Sequence, residues 1–128
     1  MHYRIKTLNT DNSAMAWMFR KDISDSDINE GRVFIPAEHV ERFGVANGTQ
    51  VAACDAQMNN TWRMNFITRR GKSYFGRGWR KFCEEKSLRE GDGINFYDLG
   101  RLEATGERLF RIERGVGFDL NQPPPLDN

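Results

Sequence analysis

Arg69, Arg70 and Lys72 place three cations within four residues, around Gly71. A guanidinium can donate two parallel hydrogen bonds to a phosphate or to the edge of a guanine, whereas an ammonium acts as a compact point charge. Ser73 and Tyr74 follow with hydroxyl groups, and Arg77, Arg80 and Lys81 continue the cationic run. From Arg63 to Arg89 there are nine basic residues against Glu84 and Glu85. From Asp22 to Glu41 six acids stand against Arg32 alone. The whole chain carries a net charge of +1, so its total charge does not announce a polyanion partner. The uneven distribution does suggest a directional field on the folded surface. A solvated but uneven surface remains the plainer reading of the same charges.

Other chemistry is sparse. Cys54 and Cys83 are the only cysteines and show no disulfide framework or metal-ligand spacing. Both are read as reduced, buried thiols of an intracellular protein. His39 lies beside Glu38 and Glu41 and is read as a surface histidine. Asp22, Asp25, Asp27 and Glu30 are dense enough to consider magnesium, but capping and turn formation explain them more simply. No enzyme activity, cofactor or metal is expected. The start of the chain lacks the apolar core of a signal peptide, and no apolar run approaches membrane-spanning length, so no membrane association is expected.

The cations need elements to present them. Trp62, Met64 and Phe66 alternate at the period of a half-buried strand, with Arg63, Asn65 and Ile67 on its other face. Lys72 to Phe75 reads as the return strand, so Arg69 to Lys72 forms a hairpin tip. Trp79, Phe82 and Cys83 have helical spacing, which predicts an amphipathic helix over 78–87. Upstream, Trp17, Phe19 and Ile23 begin the ordered part as a strand, and Ser24 to Asp27 can cap or turn the chain. Arg32 to Ile35 is a strand stopped by Pro36, which suits the first position of a helix carrying Val40 and Phe43 and closed by Gly44. Thr49 to Cys54, a run from Ile94 and Phe96, and Leu109 to Ile112 supply further strands. Trp62, Phe66, Trp79, Phe82 and Phe96 are assigned to the core. The pattern predicts a mainly β fold: seven short antiparallel strands in a small, nearly closed barrel, with two short α-helices between strands.

Several of these runs resemble, in the right order, a plant B3-type DNA-binding domain. They are Ile23-Ser24-Asp25-Ser26-Asp27-Ile28, Gly31 to Pro36, Trp62-Arg63-Met64, Gly78 to Phe82, and Leu88 to Asp92 before Ile94-Asn95-Phe96. The short loops resemble Reproductive Meristem-type members of that family. The resemblance implies a seven-stranded pseudobarrel that inserts two arms into the major groove of duplex DNA. The first arm would be 28–32 and the second 69–74. Lys21 matches a family lysine that sits near phosphate. The DNA-binding candidates are therefore Lys21, Asn29, Arg32, Arg69, Arg70, Lys72, Ser73, Arg77 and Arg80. The first arm departs from the family pattern, because Glu30 would repel phosphate while offering an acceptor to cytosine. Arg32 either reaches DNA or is tied to a carboxylate such as Asp25 or Asp27.

The expected organisation is a flexible segment over 1–14, the domain over 15–114 and a disordered tail over 115–128. Within the tail, Asp119, Leu120, Asn121 and Pro124 resemble the DLN-x-x-P repression motif, which implies a Topless-type corepressor as partner. A monomeric, nuclear transcriptional regulator that binds double-stranded DNA is expected. The alternative is a protein-interaction module that kept the barrel and lost useful DNA affinity.

Overall fold

The computed structural model describes residues 16–115. The segment 1–14 and the repression-like motif at 119–124 lie outside the described residues. Gly115 belongs with the folded part, since its N–H donates to the Gly93 carbonyl at 2.7 Å.

Seven strands form one curled sheet in the order β1-β6-β7-β3-β4-β5-β2. They are β1 (Ala16–Asp22), β2 (Val33–Ile35), β3 (Thr49–Cys54), β4 (Thr61–Arg69), β5 (Lys72–Phe75), β6 (Gly93–Arg101) and β7 (Arg108–Arg114). Two helices are α-helical, α1 (Asp25–Asn29) and α2 (Trp79–Lys86), and Ala37–Phe43 is a 3-10 helix. Alternation decides which side of each strand faces inward. In β4, Trp62, Met64 and Phe66 are buried, while Arg63, Asn65 and Ile67 are half-buried on the other face.

The interior is aromatic. Phe43, from the 3-10 helix, meets Phe75, Phe96 and Phe110 edge-on at centroid separations of 5.4, 6.5 and 4.9 Å. Edge-to-face packing suits the ring quadrupoles, and each fully buried side chain contributes about 1.5–3 kcal/mol. At another point on the core, α2 buries Trp79, Phe82 and Cys83, with Phe82 edge-on to Trp62 at 5.0 Å. Trp62, Phe66, Trp79, Phe82 and Phe96 are all core residues, as expected.

Two local expectations are corrected and a third is made specific. The sheet is not wholly antiparallel, because β3 and β7 pair in parallel through Ala52–Leu109, Ala53–Phe110 and Cys54–Arg111. Parallel neighbours require a long crossover, and the chain from β4 to β6 supplies it. The stretch Ser24 to Asp27, expected to cap or turn the chain, does cap it, and the cap opens a short α-helix. Ser24 accepts from the Asp27 N–H and the Asp27 carboxylate accepts from the Ser24 N–H, a reciprocal cap that stabilises so short a helix. Pro36 caps the third helical segment in an extended conformation instead of occupying its first turn, and that segment is wound as 3-10 rather than α.

Candidate nucleic-acid interface

The hairpin β4–β5 closes with the shortest possible loop. Arg69 pairs with Lys72, leaving Arg70 and Gly71 as the two loop residues, with φ of 54° and 79°. Two consecutive left-handed residues match the right-handed twist of the flanking strands. Gly71 accepts this backbone freely, but arginine does not. The base of the tip is fastened by the Thr68 N–H donating to Asn47 Oδ1 at 2.8 Å. Thr68 Oγ1 and Ser73 Oγ also lie 2.8 Å apart. Ser73 is 4% exposed, so its hydroxyl serves the hairpin and is withdrawn from the surface.

Arg69, Arg70, Gly71 and Lys72 are all exposed, as is Arg77 just after β5. Among the described residues no carboxylate pairs with Arg69, Arg70, Lys72 or Arg77. Strand alternation puts Asn65, Ile67 and Arg69 of β4 on the same outer face as Lys72 and Tyr74 of β5. β2 joins this face through the Phe34–Tyr74 pair. Asn65, Ile67 and Phe34 were not among the sequence candidates, although the alternation of β4 already placed the first two on this face.

The first arm is built differently. Lys21 Nζ lies 3.3 Å from the carboxylate of Asp27, which is 1% exposed. The Asn29 amide donates to Asp25 Oδ1 at 2.7 Å. Two guanidinium nitrogens of Arg32 converge on one oxygen of Glu30, at 2.9 and 3.3 Å. The sequence offered Asp25 or Asp27 as the partner of Arg32; Glu30 takes that role because Asp27 is buried and Asp25 holds Asn29. The hydrogen bonds that Arg32 donates to Glu30 raise its pKa above its ordinary value. The same guanidinium lies over the rings of Tyr74 and Phe34, at 5.2 and 5.5 Å. Arg80 reaches across from α2 to donate to the Asn29 carbonyl at 3.2 Å, so it braces the first arm.

The two arms flank one strip of sheet. β2 runs against β5 with Val33 opposite Phe75 and Ile35 opposite Ser73. The loop entering β2 therefore lies near Gly76, and the cationic tip lies beyond Lys72. Four residue steps of strand span about 13 Å, close to the width of a DNA major groove of about 12 Å.

Elsewhere the cations are mostly paired: Arg63 with Glu107 at 3.0 Å, Lys86 with Asp55 at 2.7 Å, and Arg108 with Asp98 at 2.9 Å. Cys54 and Cys83 are buried, and burial pushes both thiols up to about 12, far from a reactive thiolate. His39 is less of a surface residue than the sequence suggested. Its ring stacks on Phe19 at 4.5 Å and its side chain is 21% exposed. Among the described residues no three metal-capable side chains cluster, and no helix is long and apolar enough to cross a membrane.

Comparison with known proteins bears on the fold and the family. A B3 domain-containing protein of Oryza sativa subsp. japonica is 28% identical over 121 residues, covering 84% of this chain and 43% of its own length. The B3 domain-containing transcription factor NGA4 of Arabidopsis thaliana is 33% identical over 87 residues, covering 62% of this chain and 26% of the relative. The chain thus spans less than half the length of these curated relatives. The Arabidopsis thaliana transcription factor LEC2, solved in complex with DNA, superposes with a TM-score of 0.60 at 18% identity, covering 84% of this chain and all of that one. That likeness establishes the seven-stranded pseudobarrel. The B3 DNA binding domain family model matches residues 19–114, and with three quarters of the sequence inside that match the chain belongs to the B3 DNA binding domain family, a family of DNA-binding domains and not of enzymes.

Proposed function

We propose that this protein binds double-stranded DNA through the major groove as a transcriptional regulator, led by the β4–β5 hairpin tip. The observation that carries this reading is the group Arg69, Arg70 and Lys72: exposed, adjacent and unpaired among the described residues, at the end of a rigid hairpin. Arginine forks suit guanine edges and phosphates, while Lys72 and Arg77 add charge along the backbone. The related FUS3 and LEC2 domains were solved as complexes with DNA, and NGA4 is named a transcription factor. A nuclear location follows from that role. The short loops favour a Reproductive Meristem-like member. The domain is taken as 15–114 and acts as a monomer, and the DLN-x-x-P run at 119–124 would recruit a Topless-type corepressor, making the protein a repressor.

The test is a fluorescence-anisotropy titration with labelled duplex DNA at several salt concentrations. Replacing Arg69, Arg70 and Lys72 together by alanine should weaken binding and make the logarithmic salt dependence shallower by about three. A triple variant that matches the parent at every salt concentration would remove the assignment. One observation favours a second reading, a protein-interaction module: the polar side chains of the first arm are occupied by acids of the same chain. Absence of any shift at low salt would select it.

A further inference from the structure

The first arm carries an arrangement that the function above does not use. Three groups on it or beside it could face DNA, namely Lys21 of β1, Asn29 and Arg32, and each is held by a carboxylate: Asp27, Asp25 and Glu30 respectively. The first two contacts belong to the scaffold, because Asp27 is buried and Asp25 bonds Asn29 one helical turn away within α1. The third does not. Glu30 and Arg32 are both substantially exposed, with side-chain accessibilities of 49% and 37%. They are two residues apart across Gly31, so their contact does not secure one element to another.

Arg32 is also the residue best placed to join the cationic tip. It precedes β2, on the outer face shared with Phe34 and Tyr74, at the end of the strip opposite the tip. Its guanidinium now lies against those two rings, with two nitrogens turned to one oxygen of Glu30. Glu30 takes the Nε–H and one Nη2–H, which together form one of the guanidinium's paired-donor edges, and so competes there with a phosphate or a guanine edge. Glu30 also places a negative charge where a polyanion must approach.

We infer that Glu30 is an internal competitor for Arg32, an affinity-setting residue that weakens the first arm's grip on DNA, so that Arg32 engages a duplex fully only where that carboxylate is displaced. The inference rests on the DNA-binding reading of this face and concerns a different arm from the one that carries that reading. An exposed ion pair of this kind is weak enough to be displaced. The arm is therefore attenuated rather than dead, and sequences that offer Arg32 a guanine edge gain relative to those that do not.

The experiment uses the full chain as parent, Glu30→Gln, Glu30→Gln/Arg32→Ala and Arg69→Ala/Arg70→Ala/Lys72→Ala, titrated against a labelled random-sequence duplex. Glutamine preserves the size of Glu30 at an exposed position, so folding is unaffected, and a melting curve verifies this. Glu30→Gln should bind about three- to tenfold more tightly, with a salt slope steeper by about one, as one more cation meets phosphate. Adding Arg32→Ala restores the net charge of the parent and should abolish the gain. Unchanged or weaker binding by Glu30→Gln overturns the inference, as does a gain that survives loss of Arg32. The triple variant reads the hairpin separately. If it binds like the parent while Glu30→Gln still gains, the hairpin assignment fails and the competitor stands. If neither the parent nor Glu30→Gln binds, both fail.

Discussion

At Asp27 three parts of the fold meet on one residue. Its carboxylate accepts from the Ser24 N–H at 2.9 Å and pairs with Lys21, and its carbonyl accepts the Trp79 indole N–H at 3.0 Å. Replacing it by alanine strips a buried carboxylate from its donors and leaves Lys21 without its partner. We expect a loss of about 2–4 kcal/mol, read as a lower urea midpoint. Lys21 is thus committed to the scaffold, so a DNA-binding defect in Lys21→Ala should come with lower stability, whereas one in Arg69→Ala should not. The buried thiols give a second expectation. Burial raises Cys54 and Cys83 from 9.0 to about 12, with the Asp55 and Asp27 charges adding to it, and raises Tyr97 from 10.0 to about 12. The native state therefore keeps protons that the unfolded chain releases, so stability is intact below about pH 9 and falls as pH rises toward 12. Denaturant midpoints at pH 7 and pH 10 should show the decline, and iodoacetamide at pH 8 should leave both native thiols unmodified. The cationic tip was legible in the sequence because three charges around a glycine have few places to go but outward. The pairing of Arg32 with Glu30 was not, since it depends on how Gly31 turns and on which nearby acids are already occupied.

The β4–β5 hairpin carries a strained residue at its tip. Arg70 holds a φ of 54°, where a side chain with a Cβ is strained and Asn or Gly is preferred. Arginine persists in that slot although Asn-Gly would make the better turn. The expected consequence is that Arg70→Asn raises stability by about 0.5–1 kcal/mol while weakening duplex binding about three- to tenfold. Thermal melting and anisotropy on the same sample check both signs, and an unchanged affinity would make Arg70 a plain turn residue. At the junction into α2, Gly78 has a φ of 101°, and a Cβ there would sit 1.9 Å from the Arg63 carbonyl oxygen. Gly78→Ala must move β4 or α2, and about 3 kcal/mol or more should be lost. Most elements were legible in the same local terms. Trp62, Met64 and Phe66 announced β4, and Trp79, Phe82 and Cys83 announced α2. The element that escaped is α1, whose five residues are too few for a periodic signal and are fixed by the Ser24–Asp27 cap and by contacts with β2 and Trp79. The parallel β3–β7 pairing escaped as well, because nothing near Ala52 or Leu109 in the chain records which strand will lie beside it.

Across the whole molecule, the acidic and basic halves of the chain meet different fates. Three of the six acids between Asp22 and Glu41, namely Asp25, Asp27 and Glu30, are spent at the first arm, where they cap α1 and hold Asn29, Lys21 and Arg32. The cations of the second arm keep their charge for solvent, which gives the outer sheet face a positive end and a neutralised end. A near-neutral chain can therefore bind a polyanion, because the charge a duplex meets is local. The salt dependence of affinity measures how many cations take part, since each phosphate neutralised contributes about 0.9 to the logarithmic slope. If Arg69, Arg70, Lys72 and Arg77 act alone, the slope should be about −3 to −4, or about a hundredfold loss of affinity between 50 and 200 mM salt. If Lys21, Arg32 and Arg80 also engaged phosphate, it would approach about −6. An anisotropy series across that range separates the cases: a slope near −6 would mean that duplex DNA strips the first arm of its carboxylates, and a slope near zero would leave the barrel without a nucleic-acid partner. A value between the two extremes, steepened by about one in Glu30→Gln, is the signature of a domain that grips DNA with one arm and holds the other in reserve.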